Sequence, residues 1–142
     1  MSNVASKTRQ QGWSAAEAFV GVMTLAAVHD VQEAEHRMRA VHEFAERSPF
    51  LSEHKKHGLL SLRSEVAKRI DAAGCDALEE ACAALPAEMR ASTYAACVDV
   101  LSANGALPAK DRVLVDRLRA ILQIEVGLAQ QIEKVLLLKN RF

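Results

Sequence analysis

The sequence predicts an all-α protein, a single compact bundle of about seven helices, and three observations support this. Half of the 142 residues are apolar, and alanine and leucine, both strong helix formers, dominate them. Only three prolines and six glycines interrupt the chain. Apolar residues recur at the three- and four-residue spacing of amphipathic helices, and no stretch alternates as a strand does. The length fits one domain, which we place at residues 14–142, behind a flexible N-terminal segment, residues 1–13.

The first two predicted helices form a pair joined by a short polar turn. Ser14 and Glu17 have the spacing of a capping box, in which a hydroxyl and a carboxylate satisfy free N–H groups at a helix start. The first helix ends near His29. The second runs from about Gln32 to Arg47 and stops before Pro49, because the residue before a proline avoids the α conformation.

The middle of the chain predicts a polar link and two further helices. The link spans residues 50–57, with one helical turn around Glu53. The third helix follows Gly58 and ends at Gly74, since glycine suits the conformation that closes a helix. The fourth extends from Asp76 to about Leu85.

The last three predicted helices include a second pair. The fifth helix spans about Ala87 to Ala103 and leads into Asn104-Gly105, a strong turn signal because both residues tolerate positive φ. Pro108 suits the first position of the sixth helix, and the seventh begins near Glu125.

The two helix pairs repeat one pattern, so we predict two matched turns. We expect Val31 and Leu107 to be the apolar plugs of the first and second turn. We also match Glu35 to Asp111, the late acid that follows each plug by four residues. On this alignment the first turn is one residue shorter than the second.

These turns carry a family resemblance. The second, Ser102–Asp111, has a glycine, an apolar plug and a late acid, with Asn104 where an aspartate is usual. The first, Val28–Glu35, lacks the glycine but keeps the acid, and Gln131–Lys139 looks like a closing helix. Over residues 15–141 the chain resembles the tellurite-resistance TerB-like family.

The resemblance implies a bundle of about seven helices and a cytoplasmic place in a tellurite or metal-stress response. It also implies acidic residues that coordinate a divalent cation, and protein partners at the membrane. The amide of Asn104 and the shortened first turn both change the oxygen atoms that such a cation would meet.

The first candidate site is the polar cluster around the first turn. His29 and Asp30 precede Glu33, Glu35 and His36, and a metal such as zinc accepts both imidazole and carboxylate ligands. The alternative is that Asp30 or Gln32 caps the next helix, that the glutamates complement its dipole, and that the histidines are solvated.

The second candidate site is the second turn, where Asn104, Asp111 and nearby backbone carbonyls could offer oxygen ligands to Ca²⁺ or Mg²⁺. The alternative is a plain connection between helices. The predicted metal ligands of the two turns together are Asp30, Glu33, Glu35, Asn104 and Asp111. A divalent cation is the one cofactor that this pattern suggests.

Two other polar positions have simpler readings. The histidines of Glu53–His57 have a spacing that one helical turn can use, but neighbouring lysines oppose a cation there, so a solvated link is favoured. Asp99 is either a buried acid at a functional site or, as we favour, an acid at the edge of its helix beside solvent or a basic neighbour.

Composition excludes several functional classes. Eighteen basic and 18 acidic residues leave no basic surface for nucleic acid. No segment approaches the roughly 18 consecutive apolar residues of a membrane span. Three cysteines without a C-x-x-C motif predict reduced thiols in the cytoplasm, with Cys82 and Cys97 in the core. No nucleophile lies in a recognisable catalytic signature, so we predict that the protein is not an enzyme.

The leading functional hypothesis is a non-enzymatic stress-response protein that presents the two turns as a weak acidic surface for a cation or a partner. The alternative is a helical interaction module, a homodimer without ligand. It rests on Val135–Leu138, which is apolar on every side of its helix, whereas a helix with one buried face should not be.

Overall fold

The computed structural model describes residues 12–56 and 58–142, and every regular element in those residues is helical. Seven helices of eight or more residues form one bundle, which confirms the predicted fold class. In chain order they are α1 (Ala15–Val28), α2 (Ala34–Arg47), α3 (Leu60–Ala73), α4 (Ala77–Ala84), α5 (Arg90–Leu101), α6 (Arg112–Leu122) and α7 (Val126–Lys139). A single helical turn, Ser52–Lys55, lies between α2 and α3.

Helix α1 is the centre of the bundle, and α2, α3, α4 and α5 pack around it. Its sequence is apolar on all sides, which is typical of a helix surrounded by protein. The predicted capping box is present: the Ser14 N–H donates to Glu17 Oε1 at 2.8 Å, and the Glu17 N–H donates to Ser14 Oγ at 3.1 Å. The start of the central helix is therefore fixed by two local hydrogen bonds.

Trp13 extends the ordered core beyond the predicted domain boundary. Its ring packs directly on the Cα of Gly21, where a larger residue would have no room for its side chain. We placed Trp13 in the flexible N-terminal segment, yet it belongs to the packed domain. Residues 1–11 of that segment lie outside the described residues.

Four helix starts differ from the predicted ones for the same reason. A short 3-10 turn precedes α2, α4, α5 and α6, so the α-helix proper begins one to four residues after its predicted start. Two of these 3-10 turns, Val31–Glu33 and Ala109–Asp111, form part of the candidate site.

The cysteines lie where the sequence predicted them. Cys82 and Cys97 are buried in the core, whereas Cys75 is exposed. Burial raises the pKa of the Cys82 thiol to about 11 and raises the pKa of Cys97 still further. Both buried thiols are therefore protonated and poorly nucleophilic at neutral pH.

In the part of the chain that the structure describes, no helix is both long enough and apolar enough to cross a bilayer.

Candidate site at the two inter-helix turns

The two matched turns lie side by side, and three polar contacts join them. The Lys110 ammonium pairs with the Asp30 carboxylate. His36 Nε2 lies 2.9 Å from Asn104 Oδ1. The third contact is the ion pair between Arg37 and Asp111. We call the surface formed by residues 29–36 and 104–111 the turn face.

The turns share one backbone design, but the predicted residue matching is wrong. Each turn enters its next helix through a 3-10 segment, which begins after Asp30 in the first turn and after Pro108 in the second. Glu33 and Asp111 are the last residues of these segments, with φ/ψ of −99°/−3° and −91°/−6°. Asp111 is therefore equivalent to Glu33, and not to Glu35.

The predicted difference in turn length is also wrong. His29 alone separates Val28 from Asp30. In the second turn, residues 102–107 fill the corresponding space. The first turn can be this short because Asp30 Oδ1 accepts a hydrogen bond from the Gln32 N–H at 3.0 Å and starts the next segment at once.

One of the two predicted apolar plugs is contradicted. Leu107 is partly buried and packs against the core, as expected. Val31 is 86% exposed. The one-residue first turn leaves no loop that could fold back over the core, so its apolar side chain points into solvent.

The contact between Arg37 and Asp111 is fully buried. Arg37 Nη1 and Nη2 donate to the two oxygens of Asp111 at 3.2 and 2.6 Å, and their side chains are 4% and 0% exposed. In such a bidentate ion pair each charge compensates the other, although both are removed from water. Because Asp111 is 0% exposed and Arg37 donates to both of its oxygens, a cation from solvent could reach Asp111 only if this pair opened.

The sequence analysis did not single out Arg37. The available signal was its spacing, since Arg37 follows Ala34 by three residues and precedes Val41 by four. These are positions of the apolar stripe. A charged residue on the stripe opposite a buried acid is the pattern that would have identified the pair.

The contact between Asp30 and Lys110 lies at the surface. The hydrogen bond from Lys110 lowers the pKa of Asp30, and the same bond raises the pKa of Lys110. Both groups are therefore charged at neutral pH. The prediction that Asp30 acts as a cap is confirmed. Asp30 also has a second role that the sequence did not show, which is the pair with Lys110.

The five predicted metal ligands thus share one face but differ in their state. Asp30 and Asn104 each contact a side chain of the turn face from the opposite turn, and Asp111 contacts Arg37 of α2. The side chains of Glu33 and Glu35 make no hydrogen bond or ion pair with another residue in the described ranges, while the Glu33 backbone N–H donates to the Asp30 carbonyl at 3.1 Å. Over those ranges, no group of three or more His, Cys, Asp or Glu side chains is arranged to hold a metal ion.

An open depression of about 490 Å³ lies on the turn face. Its lining residues come from both turns: His29, Asp30, Val31, Gln32, Lys110 and Asp111. The paired Asp30 and Lys110 side chains thus border an exposed apolar residue, Val31.

The two remaining polar positions agree with the simpler readings. Asp99 lies at the edge of α5, where Lys139 Nζ donates to it at 3.1 Å and the Asn140 amide donates at 2.8 Å. In the link, Glu53 pairs with Lys56 at 3.2 Å in an exposed position. His57 lies outside the described residues.

No protein-family model, curated protein or solved structure matches this chain.

Proposed function

We propose that this chain is a non-enzymatic helical protein that binds a partner protein through the turn face. The observation that carries the proposal is the position of Val31, which is 86% exposed within a depression bordered by paired charges. An apolar centre with a polar border is the usual anatomy of a protein interface.

The charges on the turn face favour a protein over a small ligand. The Asp30 carboxylate and the Lys110 ammonium already neutralise each other, so the surface carries little free charge at that point. Burying a valine side chain beneath a partner contributes on the order of 1.5 kcal/mol.

The turn face is also preorganised. Contacts from Asp30, His36 and Arg37 tie the first turn to the second, and the pair made by Arg37 is buried. A surface that is already held in place loses little conformational entropy when a partner docks, so more of the contact energy appears as affinity.

The resemblance to the TerB-like family supplies the proposed setting. In that setting the protein acts in the cytoplasm, in a response to tellurite or metal stress, and its partners lie at the membrane. Val31 would then be the contact residue, and the acids of the turn face would fix the orientation of the partner.

A site-specific crosslinking experiment tests the partner. A photo-crosslinking amino acid is placed at Val31, or at Leu60 as the control, because Leu60 is an equally apolar and 76% exposed residue of α3. In cells of the native host, we expect one defined protein adduct from position 31 that is absent from position 60. The captured protein, once purified, should bind wild type and lose affinity for Val31→Asp.

Identical adducts from both positions, or unchanged binding by Val31→Asp, would contradict the proposal. The stress role has its own readout: deletion of the gene should reduce survival on tellurite, and wild type should restore survival where Val31→Asp does not. Unchanged survival after deletion removes the stress setting without touching the interface.

A weakly bound divalent cation is the second candidate, and the unpaired carboxylates of Glu33 and Glu35 favour it. Two carboxylates completed by water are a sparse shell, so millimolar affinity is expected. Titration of ¹⁵N-labelled protein with MgCl₂, CaCl₂ and ZnCl₂ should shift the amide signals of residues 33–35, and Glu33→Gln with Glu35→Gln should abolish the shifts. Equal shifts in the double variant would refute this site.

A further inference from the structure

Helix α7 presents a second apolar surface that the fold does not use. Only Ala129 of this helix is buried, while Ile132 and Leu136 pack partly against the core. On another side of the helix, the exposed fractions are 40% at Leu128 and 62% at Val135. Leu138 is also 62% exposed, and Phe142 follows it at the end of the chain, fully exposed.

These exposed residues follow the spacing of a coiled-coil seam. Positions 128, 131, 135 and 138 of the helix alternate steps of three and four residues, as the a and d positions of a heptad do, and Phe142 follows four residues later, beyond the end of the helix. All are apolar except Gln131. We call these five positions the α7 seam. A single polar residue at such a seam is a known device for fixing register and the number of helices.

The α7 seam continues onto the neighbouring helix. A depression of about 280 Å³ is formed by Ala95 of α5 together with Gln131, Ile132, Val135 and Leu136 of α7. Gln131 is its one polar side chain. A helix laid along the seam would therefore cover apolar surface on both α5 and α7.

The charges at the two ends of α7 have opposite signs. Glu125 lies at the N-terminal end of the helix, and Lys139 and Arg141 lie at the C-terminal end. If two such helices pack antiparallel, the acid of each one meets the bases of the other, and their dipoles are also opposed favourably. A parallel pair would place like charges together at both ends.

We propose that the α7 seam binds a second copy of this chain, with the two α7 helices antiparallel across a two-fold axis. In an antiparallel pair, a positions face d positions of the other helix, so Leu128 of one copy lies opposite Leu138 of the other. Each Glu125 then lies near Arg141 of the other copy, while Lys139 keeps its pair with Asp99 of its own copy. The two Lys134 side chains approach each other near the axis and repel. This one repulsion is set against the two attractions made by the Glu125 side chains.

The size of the α7 seam sets the strength of the dimer. A helix of 14 residues is about 21 Å long, and a stable specific interface usually buries about 800 Å² on each partner. One helix face with a strip of α5 covers less than that. The dimer is therefore in reversible exchange with monomer, with dissociation in the micromolar range or weaker.

Sedimentation equilibrium from micromolar to near-millimolar protein tests the dimer. Wild type should shift from monomer to dimer mass over this range. Val135→Asp places two carboxylates in the seam close to the axis, each opposite Gln131 of the other copy, and should weaken association about tenfold or more. Leu60→Asp, an equally exposed apolar-to-acid change on α3, should not. Circular dichroism checks that each variant is folded. A wild type that stays monomeric throughout, or equal effects of the two variants, overturns the proposal.

Disulfide crosslinking tests the orientation. In a Cys75→Ser background, which removes the exposed native thiol, the double variant Leu128→Cys with Leu138→Cys should form a covalent dimer under mild oxidation. Each single variant should not, because an antiparallel pair holds its two equivalent cysteines about 15 Å apart. Efficient dimers from the single variants would indicate parallel helices and overturn the arrangement. Since Val135 is not part of the turn face, this proposal and the partner proposal fail independently.

Discussion

Arg37 and Asp111 show how one ion pair between single residues can join two helix pairs that are distant in sequence. Arg37 projects from α2, and Asp111 precedes α6. Both side chains are removed from water, and each is the other's compensating charge. Removing one partner alone therefore costs far more than a surface pair would, because the remaining charge is left buried.

Asp111→Asn should destabilise the protein by about 3–5 kcal/mol, since it keeps the shape of the side chain but leaves the Arg37 guanidinium uncompensated. This is a large part of the roughly 5–15 kcal/mol by which domains are stable. Urea unfolding followed by circular dichroism measures the change. As the control, Arg37→Met combined with Asp111→Leu should recover most of the loss, because no buried charge remains. A loss below about 1 kcal/mol in Asp111→Asn would show that the pair is not a structural clamp.

The residue scale was also where the sequence was least informative. It identified Asp30 as a cap and Asp99 as an edge acid, because caps and helix edges depend on residues close in sequence. It missed the partners Lys110 and Arg37, because each of these pairs joins residues from opposite turns. Charge pairs between residues that are distant in sequence can be identified only once the fold is known.

At the scale of elements, the second turn depends on Gly105. Its φ is +96°, a conformation that side chains oppose, and its N–H donates to the Ser102 carbonyl at 2.9 Å. A Cβ there would lie 3.1 Å from the carbonyl oxygen of Asn140, at the end of α7. The turn is thus packed against the last helix as well as bent by glycine.

Gly105→Ala should cost more stability than Gly58→Ala, which provides the control. Gly58 also has a positive φ of +71°, but no described atom lies within 4 Å of where its Cβ would be. A side chain opposes a positive φ by about 1 kcal/mol, so Gly58→Ala reports that part. The excess in Gly105→Ala, measured by thermal or urea unfolding, reports the contact with Asn140. Equal losses would mean that the turn and α7 are not packed together.

Elements themselves were well predicted, but their connections were not. All seven helices were expected, because the apolar spacing and the start and stop signals are local. The turn alignment failed at Val31 because the length of a connection is set by how the helices pack. The two turns therefore lie where the sequence placed them, but their acids were matched in the wrong register, and a binding site at these turns stays a prediction.

At the scale of the whole molecule, Glu133 ties together the three C-terminal helices. Arg112 Nη1 of α6 donates to Glu133 Oε1 at 2.7 Å, and the Tyr94 hydroxyl of α5 donates to Glu133 Oε2 at 3.1 Å. Glu133 itself belongs to α7. The surface proposed for dimerisation is therefore held on the bundle partly by a carboxylate that must stay charged.

Glu133 should make stability fall in acid. The hydrogen bond from Arg112 is the main reason that the pKa of Glu133 is lowered in the folded protein, and the bond from Tyr94 adds to it. A group with a lower pKa when folded binds more protons when unfolded, so its stabilisation is present above its unfolded pKa of about 4.3 and is lost as pH falls through the folded value. Urea unfolding at a series of pH values from neutral to acid should show wild type losing more stability than Glu133→Gln. Tyr94→Phe, which removes one of the two hydrogen bonds and keeps the ring, should lie between them. If Glu133→Gln is as acid-sensitive as wild type, another carboxylate controls the acid response, and the link between the three helices does not depend on this charge.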